Sequence, residues 1–232
     1  MKIAVIPARG ASKRIPRKNI KMFCGNPVIK YAIDAAFQSK LFDHVVVSTD
    51  DDEIADIARQ LGAKTPFVRP SVLSDDHTPT TPVVAHAIQT CEELGWRLDY
   101  VCCIYPAAPL VQSTDLEGAL ELLKVSDADY SFSVTEFPSN IHRALKRSND
   151  GRIIPVHPEN ELIRTQDLDP AYYDAGLFYW GLRDAWLENS KIHSNGVGYI
   201  IPQWRVVDID TQDDWLRAEL QFKIIQEITR NE

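Results

Sequence analysis

The stretch IPARGASKRIPRKN, residues 6–19, places Arg9, Lys13, Arg14, Arg17 and Lys18 directly behind the strand-like run Lys2-Ile3-Ala4-Val5-Ile6, with no carboxylate among them. Side chains of these types suit a small, densely charged anion. Arginine grips two phosphate oxygens at once, lysine supplies a movable point charge, and Gly10, Ala11 and Ser12 are small enough for backbone N–H groups to approach. A solvated basic loop is the other reading of such a charge run. The turn has neither the GxxxxGK spacing of the ATPase phosphate loop nor the GxGxxG fingerprint of dinucleotide binders, so neither chemistry follows from it.

A second group is Asp208-Ile209-Asp210. In an extended chain, carboxylates at i and i+2 project to one face and can hold a hard divalent cation, typically Mg²⁺, together with phosphate oxygens. Alone, paired aspartates before a helix serve equally as caps and solvated charges. Beside a polybasic loop they fit phosphoryl transfer, which draws charge neutralisation from both protein cations and metal. Residues 48–58, STDDDEIADIA, read as a helix N-cap with an acidic first turn. Arg69 precedes a proline-bracketed loop rich in Ser and Thr, offering a guanidinium and hydroxyls to a polar ring and its ribose. His77 and His86 have no second ligand at a metal-binding spacing.

The elements that must position these groups alternate in type. Strand patterns at 2–7, 44–49, 99–105 and 129–135 lie between or beside helical patterns at 27–39, 51–61, 81–95 and 113–124. This predicts βαβ units and a mainly parallel sheet flanked by helices, with loops 8–19, 50–52 and 105–112 gathered beyond the carboxyl ends of the strands. Strand pattern returns at 175–181 and 197–209. A last helix starts at Thr211 with a capping-box-like Thr211-Gln212-Asp213-Asp214, and Trp215, Ala218, Phe222, Ile225 and Ile228 form its expected buried stripe. Between 138 and 172 the alternation breaks into turn signals and prolines. The chain of 232 residues is therefore expected to be one domain, 1–232, with an inserted arm at 138–172 that caps a site or reaches a partner subunit.

Charge is unevenly distributed. Residues 1–30 carry eight Lys or Arg and no Asp or Glu, whereas the chain as a whole has 25 basic and 33 acidic residues and a net charge of -8. An acidic remainder repels nucleic acid and anionic lipid, leaving the cationic loop to a small anion. No run approaches the length needed to span a bilayer, and the chain opens into strand pattern without a signal-peptide sequence. Its four cysteines have neither metal nor disulfide-scaffold spacing. A reduced, cytoplasmic protein is expected.

Taken together these residues resemble the cytidylyltransferases that activate nonulosonic acids, and most closely the pseudaminic acid branch. The resemblance runs over nearly the whole chain and is carried by residues 6–14 with Lys18-Asn19, Val47-Ser48-Thr49-Asp50, Arg69-Pro70, Tyr105-Pro106, Pro109-Leu110, Asp174-Ala175-Gly176 and Asp208-Ile209-Asp210-Thr211. It implies a Rossmann-like nucleotide-diphospho-sugar transferase fold. It also implies a reaction in which the anomeric hydroxyl of a nine-carbon α-keto acid attacks the α-phosphate of CTP and pyrophosphate leaves.

In that family's terms Arg9, Ser12, Lys13 and Arg14 would hold the β and γ phosphates, Lys18 and Asn19 the α-phosphate and ribose region, and Ala8 and Gly10 would also contribute to nucleotide binding. Arg69 and Thr81 would surround cytosine and its ribose, while Asp208 and Asp210 would carry Mg²⁺. Arg9, Lys18, Asp208 and Asp210 would act at the reacting phosphorus. Tyr105, Asp174, Ala175 and Gly176 would meet the sugar, and Arg143 and Arg164 of the arm would reach a partner's site in a homodimer. Tyr105 stands where sialic-acid-activating relatives have glutamine, and Asp174-Ala175-Gly176 where they have Pro-Asn-Gly. In the 3-deoxy-manno-octulosonate branch a proline usually follows the lysine where Asn19 stands. Legionaminic and sialic acids remain alternative acceptors, and a non-catalytic nucleotide or acidic-sugar binder is the alternative of another class. No His or Glu presents itself as general base.

Overall fold

A computed structural model describes residues 1–188 and 191–231. In chain order the elements are β1 (Lys2–Pro7), β2 (Met22–Phe23), β3 (Asn26–Pro27), α1 (Ile29–Ser39), β4 (His44–Ser48), α2 (Asp52–Gln60), α3 (Thr80–Glu93) and β5 (Tyr100–Ile104). They continue with α4 (Ser113–Val125), β6 (Tyr130–Glu136), β7 (Leu145–Arg147), β8 (Ile153–Pro155), β9 (Tyr172–Leu182), α5 (Arg183–Glu188), β10 (Gly196–Ile200) and α6 (Gln212–Asn231).

Six strands form one sheet in the order β10-β6-β9-β5-β1-β4. β1 is parallel to β4 and β5, and β10 is parallel to β6. Ile3, Ala4, Val5 and Ile6 are all fully buried, because helices cover both faces of the sheet and a strand at its centre then has no solvent side. One face packs Ile6, Val47 and Trp180 against α1, α2 and α4; the other packs Val5, Val101 and Tyr130 against α3 and α5. The expected mainly parallel α/β architecture is what the chain adopts.

β9 is the exception to parallel order, running antiparallel to both β5 and β6. Its pairing with β6 shifts register between Phe132 and Val134. At this bulge Gly176 takes φ +63°, a left-handed conformation open to glycine at little cost. Asp174 Oδ1 accepts the Gly176 N–H at 2.8 Å, and Ser133 Oγ accepts the Leu177 N–H at 3.2 Å. The bulge keeps its donors satisfied while tilting Gly176 out of the ladder.

Two expectations need correction. The strand pattern read at 197–209 ends at Ile200, since Pro202 starts a 3₁₀ turn at Gln203–Arg205 and residues 206–210 run extended outside the sheet. The stripe of α6 is buried at Trp215 and Ala218 and half-buried at Phe222 and Ile225, but Ile228 is 47% exposed, because the helix has by then passed its small cluster around Phe23 and Ile15. The predicted helix start is seen, with Thr211 Oγ1 accepting the Asp214 N–H and Asp214 accepting the Thr211 N–H.

Residues 137–171 leave the sheet between β6 and β9 and form their own two-stranded ladder, β7 with β8. Leu145, Ile153, Ile154 and Leu162 in this segment are exposed, Leu162 at 96%.

Candidate active site

β1 ends at Pro7 on the carboxyl edge of the sheet, and the cationic loop follows. Ala8 is buried and extends the ladder by donating its N–H to Ser48 O at 2.9 Å. Gly10 donates its N–H to Asp50 Oδ1 at 3.0 Å, and a Cβ at this position would stand 2.6 Å from the Asp51 carboxylate, so the close approach admits only glycine. Arg17 clamps Asp51 at 2.5 and 3.0 Å, while Asn19 Nδ2 donates to Arg9 O at 2.9 Å. Asp51 also caps α2 by accepting the Ile54 N–H at 3.0 Å, a contact of about 1 kcal/mol. The loop is thus stapled to the start of α2, and its Gly10 amide is committed to Asp50.

The facing wall comes from the other end of the chain. Val207 and Ile209 are buried in the cluster with Ile15 and Phe23, so the alternation of extended chain turns Asp208 and Asp210 to the opposite side. Lys18 Nζ donates to Ile209 O at 2.7 Å and lies 3.6 Å from Asp210, and Arg14 Nη1 donates to Asp210 Oδ2 at 2.8 Å. The segment is anchored just upstream by Arg205, which is buried and meets buried Asp115 with two parallel bonds of 2.7 and 2.8 Å. A geometry of this quality is what makes a buried pair tolerable, and loss of one partner would strand a charge inside.

These walls enclose a cavity of about 490 Å³. Arg9, Ser12, Lys13 and Asn19 line it beside Arg14, Lys18 and the two aspartates. Arg69, Tyr105 and Gly176 reach it from the remaining sides, whereas Ala8, Gly10, Thr81, Asp174 and Ala175 do not line it. Asp208 is open to the cavity on one side and crowded by protein on the other; this burial, followed by the like charge of Asp210, raises its carboxyl above the ordinary range.

Two all-oxygen ligands that repel one another are a fitting seat for Mg²⁺. Among the described residues no cluster of three or more His, Cys, Asp or Glu offers a complete cage, so phosphate oxygens and water would supply the rest of the shell, as Mg²⁺ prefers.

Arg69 is 4% exposed, and its Nε and Nη2 have no hydrogen-bond partner; the nearest carboxylate, Asp50, lies 3.9 Å from Nη2. Burial lowers its pKa. Unpaired buried donors are costly, and on a side chain that lines the cavity they leave a guanidinium able to meet a ligand acceptor.

A second cavity of about 570 Å³ adjoins the first, with Thr80 and Tyr105 lining both. Thr81, Tyr179 and His193 also line it. The Tyr105 hydroxyl and Thr80 Oγ1 are 2.7 Å apart. Burial pushes Tyr105 up to about 12, so it stays a neutral phenol and a hydrogen-bonding group. Asp174 stands behind this wall, its Oδ2 accepting from the Tyr179 hydroxyl and meeting His193 Nε2, each at 2.8 Å.

Arg143 and Arg164 lie apart from both cavities. Arg143 lines a third cavity at the base of the arm, where its guanidinium reaches backbone oxygens of Ile163 and Glu161, and exposed Arg164 precedes the turn Thr165–Asp167. Thr80, Asp115, His193 and Arg205 contribute to the sites without any signal in the local sequence, and Asp50, part of a stretch that carried the resemblance, gave no sign of its contact with Gly10. Each acts on a partner distant along the chain.

The model of one protein family, described as cytidylyltransferase, matches residues 3–179. The chain belongs to the cytidylyltransferase family. The match spans the cationic loop, Arg69, Tyr105 and the β9 bulge, and the carboxylate pair lies beyond it. Over 228 residues the chain is 42% identical to a pseudaminic acid cytidylyltransferase of Campylobacter jejuni, covering 97% of each protein. It is 31% identical over 233 residues to a CMP-N,N'-diacetyllegionaminic acid synthase of Legionella pneumophila, again covering 97% of each. Among solved structures, CMP:2-keto-3-deoxy-manno-octonic acid synthetase complexed with CTP superposes with a TM-score of 0.70 at 17% identity, over 97% of this chain and 99% of that one. At that identity the likeness concerns the fold, which this CTP-dependent cytidylyltransferase shares.

Proposed function

We propose that this enzyme joins CMP from CTP to the anomeric hydroxyl of a nonulosonic acid, pseudaminic acid first among them, and releases pyrophosphate. One observation carries the reading: the amino-terminal cations and the Asp208/Asp210 pair face each other across one cavity, joined by the contacts of Arg14 and Lys18 with Asp210. The 42% identity to a pseudaminic acid cytidylyltransferase supports the choice of acceptor.

Arg9, Ser12, Lys13 and Arg14 take the β and γ phosphates, where charge accumulates as the α–β bond breaks, and Lys18 with Asn19 holds the α-phosphate. Arg69 presents its open Nε and Nη2 to the carbonyl of cytosine. Mg²⁺ held by Asp208 and Asp210 would draw charge from the phosphate oxygens. The acceptor lies in the second cavity against Tyr105 and Tyr179, with Asp174 fixing Tyr179 and His193, so its hydroxyl approaches the α-phosphate past Gly176. Arg143 and Arg164 serve a neighbouring copy's site, in a homodimer built through residues 138–172. In this reading the enzyme works in the cytoplasm; separately, no helix among the described residues is long and apolar enough to cross a membrane.

Incubation with CTP, Mg²⁺ and one keto acid at a time, with pyrophosphate as readout, tests the proposal. Turnover should be fastest with pseudaminic acid, slower with legionaminic and sialic acids, and slowest with 3-deoxy-manno-octulosonate. Binding of CTP without turnover on any acid would leave a nucleotide binder in its place.

A further inference from the structure

The loop between Arg69 and α3, residues 70–79, contains two adjacent aspartates with different fates. Asp75 is spent on its own loop: its Oδ1 accepts from the His77 N–H at 2.9 Å, the Thr78 N–H at 2.6 Å and the Thr78 hydroxyl at 2.8 Å. Asp76 instead reaches across the cavity, where Oδ1 pairs with Arg9 Nη1 at 2.7 Å and Oδ2 pairs with Lys13. The same Arg9 nitrogen donates to Asp75 O at 2.7 Å, so the loop backbone is held down too. Its pairing with Lys13, ahead of its other contacts, depresses the Asp76 carboxyl, keeping it ionised at any pH at which the enzyme would work.

We infer that Asp76 is a displaceable anion that competes with pyrophosphate for Arg9 and Lys13 and drives pyrophosphate off the enzyme after bond cleavage. The inference rests on the proposed reading of the cavity. A phosphate group entering at Arg9 and Lys13 meets the negative charge of Asp76 on the same two cations, so CTP entry lifts Asp76 away and its return replaces the leaving group. CMP, held by Lys18, Asn19 and Arg69, does not require the exchange. Asp76 thus weakens the ligands bearing β and γ phosphates and leaves the monophosphate alone. This sets the order in which the products depart.

The test is calorimetric titration of wild type and Asp76→Asn with pyrophosphate, CTP and CMP, in Mg²⁺ and again in EDTA. Asp76→Asn should bind pyrophosphate and CTP about three- to tenfold more tightly, the range expected when partly exposed ion pairs no longer compete, with CMP unchanged. Pyrophosphate should inhibit its turnover at correspondingly lower concentration. Asp76→Glu should restore wild-type values, and unchanged CMP affinity reports that the variant is folded. Equal pyrophosphate affinity in wild type and Asp76→Asn would overturn the inference, as would weaker binding, which would make Asp76 part of the anion's own site. Wild type that neither binds nor turns over CTP would defeat the functional reading instead, and the pyrophosphate titration would still decide the role of Asp76.

Discussion

The cavity between the two chain ends and the arm at 137–171 solve opposite problems. Around the cavity nearly every charge has a partner within the chain: Arg9 and Lys13 with Asp76, Arg14 and Lys18 with Asp210, Arg17 with Asp51. In the arm it is the apolar side chains that lack cover: Leu145, Ile153 and Ile154 are exposed on a two-stranded ladder too small to bury them, and Leu162 is exposed beyond it. The cations of the cavity are therefore balanced by carboxylates of the same chain. Exposed apolar side chains of this kind are what the proposed second copy would cover.

Four variants sharpen or break that contrast, taken from the largest expected effect downward. Asp210→Ala removes the group that joins both walls, and pyrophosphate release should fall at least about a hundredfold while circular dichroism shows an intact fold; undiminished release would end the proposed metal-binding role. Arg205→Ala strands the Asp115 carboxylate in the interior and should cost about 3–5 kcal/mol in chemical denaturation, loosening the Asp208 segment with it. A loss below about 1 kcal/mol would show that the buried pair does not anchor that wall. In the arm, Ile153→Asp combined with Leu162→Asp should turn a dimer into a monomer by sedimentation, with the unfolding midpoint of the sheet domain little changed. A monomeric wild type would remove the pairing altogether.

The smallest effect concerns Asp208. Burial and the charge of Asp210 raise its carboxyl, so the folded state holds that proton more firmly than the unfolded chain does. The resulting stabilisation is present below the ordinary aspartate pKa and is lost as pH rises through the raised value. At neutral pH without metal the ionised group opposes folding, and Asp208→Asn should raise Tm by about 1–2 °C, a small gain because cavity water screens the pair. Turnover should fall in the same variant. A lower Tm would mean that Asp208 has a stabilising partner.

Local pattern made much of this molecule legible in advance. The apolar runs of β1, β4 and β5 announce a buried parallel sheet, since strands covered on both faces need no polar alternation. Thr211 and Asp214 announce the start of α6 three residues apart, and Val207 to Asp210 alternate inward and outward as extended chain must. Where local pattern misled, a competing constraint prevailed, as when Pro202 ended the strand read through to residue 209.

The amino-acid sequence by itself determined the chemical stock: an acidic chain with one cationic loop near its start, an aspartate couple near its end, and an alternation of strands and helices that gathers loops at one edge of a sheet. Only the tertiary structure decided which charges meet. Arg14 and Asp210 are 196 residues apart, Arg205 and Asp115 are 90 apart, and Asp76 and His193 found their partners on other elements. The reason is physical: hydrogen bonds and ion pairs act over a few ångströms of space, and only the packed sheet brings such distant stretches of chain that close.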